Sequence, residues 1–227
     1  MTQNLCQLAG NWNGNAMPAA AVTQEKRDGF RALYVRDWKG RPGLYTRGGH
    51  EIHGVDHILH DLAAWERHAG QRMFFDGEFM VGEGANTLAR TKAWCEREWK
   101  QGGTAGRFHL FDGFPLEDWQ RGGTDLPWHE RNRRLRCLAD AVTADDTHAW
   151  EWRPGSRGAD DNQPVILEPS CHAYTMQCVL DHAHQVWAGQ GEGVMLKDWN
   201  APYRLGRNQG WLKIGRPWRD KLMLRAA

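Results

Sequence analysis

The segment Lys26-Arg27-Asp28-Gly29-Phe30-Arg31 has the residue types of a nucleophile turn. A lysine is a poor nucleophile while protonated, with a free pKa of about 10.4. Neighbouring cations (Arg27, Arg31) and partial burial favour the neutral amine, and Gly29 permits a tight turn that presents it. Taken alone, the same six residues also describe an ordinary charged turn. Three other segments carry charge into apolar runs. Asp76-Gly77-Glu78 interrupts Phe74-Phe75 and Phe79-Met80, which marks an edge strand, a bulge or a site. Glu192 and Lys197 stand at the two ends of the apolar Gly193-Val194-Met195-Leu196, and Lys213 alternates with Leu212 and Ile214. Buried charges are costly unless paired or bound to phosphate or metal. Three strands with inward charges plus a lysine turn therefore suggest a pocket for a polyanion and a metal ion.

Other constellations carry less. His50, His53, His57 and His60 are close in sequence, but Gly54 and a change from strand to helix break any common face, so packing is favoured over zinc. Cys171, Cys178, His182 and His184 have spacings unlike the usual zinc patterns. The 13 tryptophans could stack on bases, yet most stand beside charged residues in patterned segments, as packing residues do.

The elements that must position these residues follow from periodicity. Ala32–Val35 and Gly43–Thr46 flank the polar Trp38–Pro42 and predict two strands and a turn. Val55–His68 carries Ile58, Leu62 and Trp65 at helical spacing. Met73–Val81 predicts an interrupted strand, Asn86–Lys100 a helix with Asn86 as N-cap, and Arg107–Phe111 a strand. Pro127–Val142 predicts a charged helix, Val165–Leu167 a strand, His172–Ala188 a helix stopped by Gly189, and Gly155–Gln163 a loop. Val194–Lys197 and Gly210–Ile214 are the closing strands. Irregular alternation of this kind predicts an α+β fold on antiparallel sheet rather than a doubly wound parallel one.

Composition bounds the class. The 227 residues, 41% hydrophobic and 25% charged, are those of a globular protein with room for one large domain or two small ones. Mean hydropathy is −0.72, and no apolar run approaches the roughly 18 residues of a membrane span. The N-terminus has neither the basic nor the apolar region of a secretory signal. Five scattered cysteines without a C-x-x-C favour reduced thiols, hence a cytoplasmic protein with no membrane partner. Net charge is +1, but Lys197–Ala227 holds eight basic and two acidic residues, a candidate phosphate-binding surface.

The ordered series KRDGFR, YTRGG, FDGEF, FHLFDGFPL, EGVMLKDWNAPYRLGR and WLKI resembles the adenylation (nucleotidyltransferase) domain of ATP-dependent DNA ligases, especially small bacteriophage and bacterial ones. It runs from about Thr23 to Arg216. The resemblance implies an antiparallel-sheet nucleotidyltransferase domain, ATP-grasp-like, over 23–216, with 1–22 as lead-in and 217–227 as a short basic tail. It implies ATP and Mg2+ as cofactors, nicked double-stranded DNA as partner, and a monomer in the cytoplasm, that of the host if phage-encoded. By the same resemblance Lys26 attacks the α-phosphate of ATP and becomes lysyl-AMP, and Gln24 reads adenine. Asp28 lies near the 3′-hydroxyl of the nick, Arg31 holds the ribose, and Arg47 contacts the 5′-phosphate. Glu78 serves ribose and metal, Phe111 stacks on adenine, Glu192 binds metal, and Lys197 and Lys213 surround the α-phosphate. Carboxylates at Glu78 and Glu192 suit Mg2+, and the cations suit charge growing on phosphate oxygens.

Two departures bear on this. The family usually carries a second lysine two positions after Lys213, where this chain has Gly215; Arg216 or Lys221 would have to replace it. The family also continues into an OB-fold domain, whereas 14 residues follow Lys213 here. No OB fold is expected within this sequence: either the chain is a natural or engineered adenylation domain alone, or a separate protein supplies the OB-fold or DNA-binding function. Only 25 residues precede Lys26, too few for the nicotinamide-binding domain of NAD-dependent ligases. The alternatives are an RNA ligase or another lysine nucleotidyltransferase, and, from a different class, a catalytically impaired module that binds nicks or ends.

Overall fold

Val194, Leu196, Leu212 and Ile214 are buried while Met195 and Lys213 between them are not. That period of two belongs to a sheet with one covered face. The computed structural model describes residues 4–14, 17–36, 41–84, 86–144 and 163–226. The chain divides into two compact units.

The first unit comprises Met1–Asp28, Gly122–His129 and Glu168–Ala227. Its five-stranded sheet has the order β1 (Gln7–Asn11), β12 (Gly206–Gly215), β10 (Gly193–Asp198), β2 (Ala21–Glu25) and β9 (Cys171–Ala173). The β1–β12 pairing is parallel and the others antiparallel. Helix α5 (Met176–Ala188) packs Val179, Ala183 and Trp187 against Ala21, Ala173, Val194, Leu196, Leu212 and Ile214. Helix α6 (Arg216–Ala226) adds Trp218 to the same cluster, its ring centroid 4.6 Å from that of Trp12. A two-stranded ribbon, β7 (Gly123–Thr124) with β11 (Tyr203–Arg204), completes the unit.

The second unit comprises Gly29–Arg121 and Glu130–Leu167. Its sheet has the order β4 (Gly43–Thr46), β3 (Phe30–Val35), β5 (Met73–Met80), β6 (Arg107–Pro115) and β8 (Val165–Leu167), with β6–β8 parallel. One face buries Ala32, Tyr34, Phe75, Phe79, Phe108 and Leu110. Against them pack Ile58, Leu62 and Trp65 of α1 (Asp56–Ala69), Trp94 of α2 (Thr87–Glu96), and Leu135 and Val142 of α4 (Trp128–Ala144). The short α3 (Leu116–Gln120) stacks Trp119 on Phe74. Arg131 on α4 and Asp112 on β6 form a bidentate ion pair at 2.7 and 2.8 Å, both sealed from solvent.

The α+β class holds, with parallel pairs at one edge of each five-stranded sheet where antiparallel pairing alone was expected. The strands expected at Ala32–Val35, Gly43–Thr46, Met73–Val81, Val165–Leu167 and Val194–Lys197 are present within a residue or two. Four differences are informative. His172 lies in a strand, not a helix, because β9 pairs with β2 and the helix waits for Thr175, whose hydroxyl caps the Cys178 N–H at 3.3 Å. Asn86 is at the N-cap position but in a left-handed conformation (φ 71°) without a capping bond, and α2 gives way to a 3-10 turn at Glu98–Gln101. Residues 7–11 of the expected lead-in are β1, and the expected tail is helix α6. Asp76-Gly77-Glu78 lies on a central strand rather than an edge, beside a true bulge: Asp76 faces Asp112 and Gly77 faces Leu110, so Phe111 is the extra residue. Residues 37–40 of the expected turn and 155–162 of the expected loop lie outside the described residues.

Candidate active site

In the first unit, the sheet face opposite the α5 core collects the candidate residues. Gln24, Met195 and Lys213 stand side by side across β2, β10 and β12, and Val22, Lys197 and Trp211 form the next row. The Lys26 N–H donates to the Gly193 carbonyl at 2.8 Å, which extends the β2–β10 ladder past the strand end and sets Lys26 on the Gln24 face. The Lys26 amine is hydrogen-bonded to the Glu192 carboxylate.

The two arginines that follow Lys26 in the sequence are each engaged by carboxylates of their own unit. Arg27 is turned to Glu25 (3.1 Å) and Glu168 (2.9 Å), and Arg31 is committed to Asp76. Lys213 is exposed rather than buried, because strand alternation points it away from the core that holds Leu212 and Ile214. Lys197 does match the expectation of an inward charge. It is 1% exposed, its Nζ lying 4.1 Å from the Trp211 ring centroid and 5.7 Å from that of Trp128. Cation–π contacts of this kind offset part of an ammonium's desolvation.

Gln24 is also buried. Its side-chain N–H donates to the Glu168 carbonyl at 3.3 Å, while its Oε1 has no hydrogen-bond partner among the described residues. A buried orphan acceptor costs free energy until a donor arrives, and the exocyclic amine of a purine is such a donor. On the other side of β2, Thr23 Oγ1 is 2.7 Å from His182 Nδ1, and burial pushes the His182 imidazole below its usual pKa. Asp28 faces Arg216 at 3.6 Å.

In the second unit, Asp76 is sealed from solvent and grips Arg31 with two hydrogen bonds of 2.5 and 2.6 Å. This holds the guanidinium 4.6 Å from the ring centroid of Phe111, the residue that the bulge re-aims. Glu78 Oε1 accepts the Gly29 N–H at 3.2 Å. Gly29 is required here for a close approach: a Cβ would stand 2.4 Å from the Phe79 carbonyl oxygen. Arg47 is exposed on the turn after β4, its N–H bonded to the Arg31 carbonyl at 3.2 Å.

Thus Gln24, Lys26, Asp28, Glu192, Lys197 and Lys213 belong to the first unit, and Arg31, Arg47, Glu78 and Phe111 to the second. Sequence reasoning missed Glu168, Asp76 as the holder of Arg31, and the two tryptophans around Lys197. Glu168 had a signal, a carboxylate closing the apolar Val165-Ile166-Leu167; the others depend on pairing between strands. Among the described residues no three His, Cys, Asp or Glu side chains converge on a metal position. Mg2+ is commonly held by one or two carboxylates and the substrate's own phosphates rather than by an all-protein cage; Glu192 offers one such carboxylate in the first unit and Glu78 one in the second. No helix among the described residues is long and apolar enough to cross a membrane.

Residues 13–215 match the family model described as ATP dependent DNA ligase domain. No curated protein matches the sequence. The fold is similar to a solved structure named "Pmar-Lig_Pre." (TM-score 0.73, 21% identity, 95% of this chain and 47% of that one). It also resembles the ATP-dependent DNA ligase of bacteriophage T7 in complex with ATP (TM-score 0.64, 18% identity, 92% and 68%). A third likeness is to Chlorella virus DNA ligase-adenylate (TM-score 0.67, 17% identity, 95% and 68%). The chain spans a little under half the length of the first two structures it matches, 46% and 47%. At these identities the likeness is one of fold, a mixed α/β ligase nucleotidyltransferase domain.

Proposed function

The chain belongs to the ATP-dependent DNA ligase domain family, and from that membership we propose that it is a ligase that seals nicked double-stranded DNA through a lysyl-AMP intermediate. The observation that carries the proposal is the Lys26 amine beside Glu192 on the same sheet face as the orphan acceptor of Gln24. We place the adenylation domain at 23–216. In the first step the Lys26 ammonium gives up two protons to water and its nitrogen attacks the α-phosphorus of ATP. The P–N bond forms, the P–O bond to pyrophosphate breaks, and pyrophosphate leaves. In the second, an oxygen of the DNA 5′-phosphate takes the AMP and Lys26 regains its protons. In the third, the 3′-hydroxyl attacks the 5′-phosphorus, its proton goes to water, and AMP departs.

The part proposed for each residue is the one that the family resemblance implies. Gln24 accepts from the adenine amine, Phe111 offers a ring to the base, and Arg31, pinned by Asp76, and Glu78 serve the ribose. Lys197 and Lys213 oppose charge on the α-phosphate oxygens, which is where such a transfer needs positioning and neutralisation. Asp28 serves the 3′-hydroxyl end and Arg47 the 5′-phosphate. Glu192 and Glu78 would hold Mg2+, which when bound withdraws negative charge from the phosphate oxygens. We take the chain to act as a monomer, and its five free cysteines fit a reducing cytoplasm.

The test is intact mass after incubation with ATP and Mg2+. One AMP should appear on the wild type and none on Lys26→Ala. An adduct that persists in the variant removes Lys26 from its role, and GTP in place of ATP separates a capping-type enzyme. Sealing of nicked RNA in preference to nicked DNA would reassign the substrate.

A further inference from the structure

We infer that Arg216 is a phosphate-binding residue of the nucleotide site, reaching the oligophosphate beside Lys26 from the first turn of α6; this rests on the adenylation reading above. The electrostatics create the need. The Lys26 amine already faces one carboxylate, Glu192, and Asp28 places a second two residues along the same turn. An incoming oligophosphate adds further negative charge to this ground. Position 215 brings no cation, although a Cβ there would stand 4.0 Å from Glu192 Oε1 and so faces the carboxylate.

Three cations of α6 have described side chains, and of these Arg216 faces Asp28 on the lysine turn. Arg219 is paired with Asp220 at 3.1 Å, and Lys221 Nζ lies 5.0 Å from the Trp218 ring centroid. Arg216 Nη2 is 3.6 Å from Asp28 Oδ2, beyond hydrogen-bond range, with side chains 55% and 39% exposed. So loose and wet a pair is released at little cost. The root of Arg216 is nonetheless fixed. Two residues on, the Trp218 ring packs on Trp12 and its indole N–H donates to the Trp12 carbonyl at 3.2 Å. An anchored backbone with a loosely held guanidinium suits a group that leaves one anion for another, and the planar fork binds phosphate in bidentate fashion. Asp28 parks Arg216 until the oligophosphate competes for it.

Single-turnover self-adenylation across ATP concentrations tests this, with melting temperature recorded for every variant. Arg216→Ala should lose at least tenfold in kcat/KM, with the apparent ATP affinity weakened and the melting temperature unchanged. Arg216→Lys should retain more activity than Arg216→Ala. Gly215→Lys in the Arg216→Ala background should recover part of the loss, since the site for the new Cβ has only ordinary contacts at 3.8–4.0 Å. If the wild type takes up no AMP, the adenylation reading falls and this inference with it. If the wild type charges and Arg216→Ala charges equally well, the inference alone is overturned. It is equally overturned if the loss in Arg216→Ala tracks a fall in melting temperature and Gly215→Lys repairs none of it.

Discussion

Asp76 and Asp112 offer a matched pair of perturbations in one unit. Both carboxylates are buried and both grip an arginine with two hydrogen bonds, Arg31 at 2.5 and 2.6 Å and Arg131 at 2.7 and 2.8 Å. Neutralising one partner of a buried pair leaves the other charge uncompensated, at about 3–5 kcal/mol. For Asp112→Asn the whole of that range applies, because Arg131 is 0% exposed. For Asp76→Asn water reaches Arg31, which is 20% exposed, and about 2–3 kcal/mol is expected after discounting for solvent. At roughly 2–4 °C per kcal/mol for a chain of this size, melting should fall by about 6–20 °C for Asp112→Asn and about 4–12 °C for Asp76→Asn. Activity should rank the other way. Asp112→Asn supports the fold and should charge with AMP near the wild-type rate at a temperature where it is fully folded. Asp76→Asn unpins the guanidinium over Phe111 and should lose tenfold or more, which is about 1.4 kcal/mol at the barrier. Scanning calorimetry and single-turnover adenylation at 20 °C decide it. An Asp76→Asn protein that charges at the wild-type rate would refute the role of Arg31, and equal losses in two folded variants would make both pairs merely structural.

Glu192→Gln should abolish AMP uptake at least a hundredfold in the same assay, yet change stability by less than about 1 kcal/mol, because the Lys26–Glu192 pair is about a quarter exposed. Burial raises the Asp61 carboxyl to about 7, with a backbone hydrogen bond from Val165 opposing. The folded state thus keeps a proton that the unfolded chain gives up above about pH 4, and stability declines as pH rises through 7. Asp61→Asn should melt above the wild type at pH 8 and match it near pH 4. His182 has the opposite sign: its lowered pKa makes the unfolded chain bind the proton first, so stability should fall as pH drops below about 6.5. His182→Gln should lose less than the wild type between pH 7.5 and 5.5 in urea titrations. Affinity for nicked duplex should fall steeply with salt, and charge reversal at Arg216, Arg219 and Lys221 should flatten that dependence.

What could be read in the sequence depended on whether the causes were local. Strands β3, β4, β5 and β10 announce themselves through runs of apolar residues, and α1 through its Ile58, Leu62 and Trp65 stripe. Cys171-His172-Ala173 has no such pattern and is a strand only because β2 lies beside it. Leu8 and Gly10 in β1 owe their conformation to β12 in the same way. The site shows the same division. Lys26 was legible as the lysine of a charged turn, and Glu192 and Lys197 as charges at the two ends of a short strand, whereas β2, which leads into Lys26, was not expected. Asp76 holding Arg31, and Trp211 facing Lys197 across a ladder, are pairings between distant segments that no local window contains. The bulge at Phe111 is of that kind too, since it exists only as a mismatch of register between β5 and β6.

The second unit is an insertion: the first unit's three segments, Met1–Asp28, Gly122–His129 and Glu168–Ala227, enclose it in the chain. During synthesis the inserted unit can complete its sheet while the first has only β1, β2 and the short β7 available. Strand β2, which leads into Lys26, meets its partners β9 and β10 only after most of the chain has emerged, and β1 waits for β12, the last strand of all. Non-local pairing of this sort is slow, and domains tend to fold as they emerge. The lysine made early is therefore seated late. A nascent chain that ends before β10 can hold a finished second unit, with its Arg31 already gripped by Asp76, and still lack the strand whose ladder fixes Lys26 and the Glu192 that its amine meets, so that on the proposed reaction one unit is complete well before the other can begin to work.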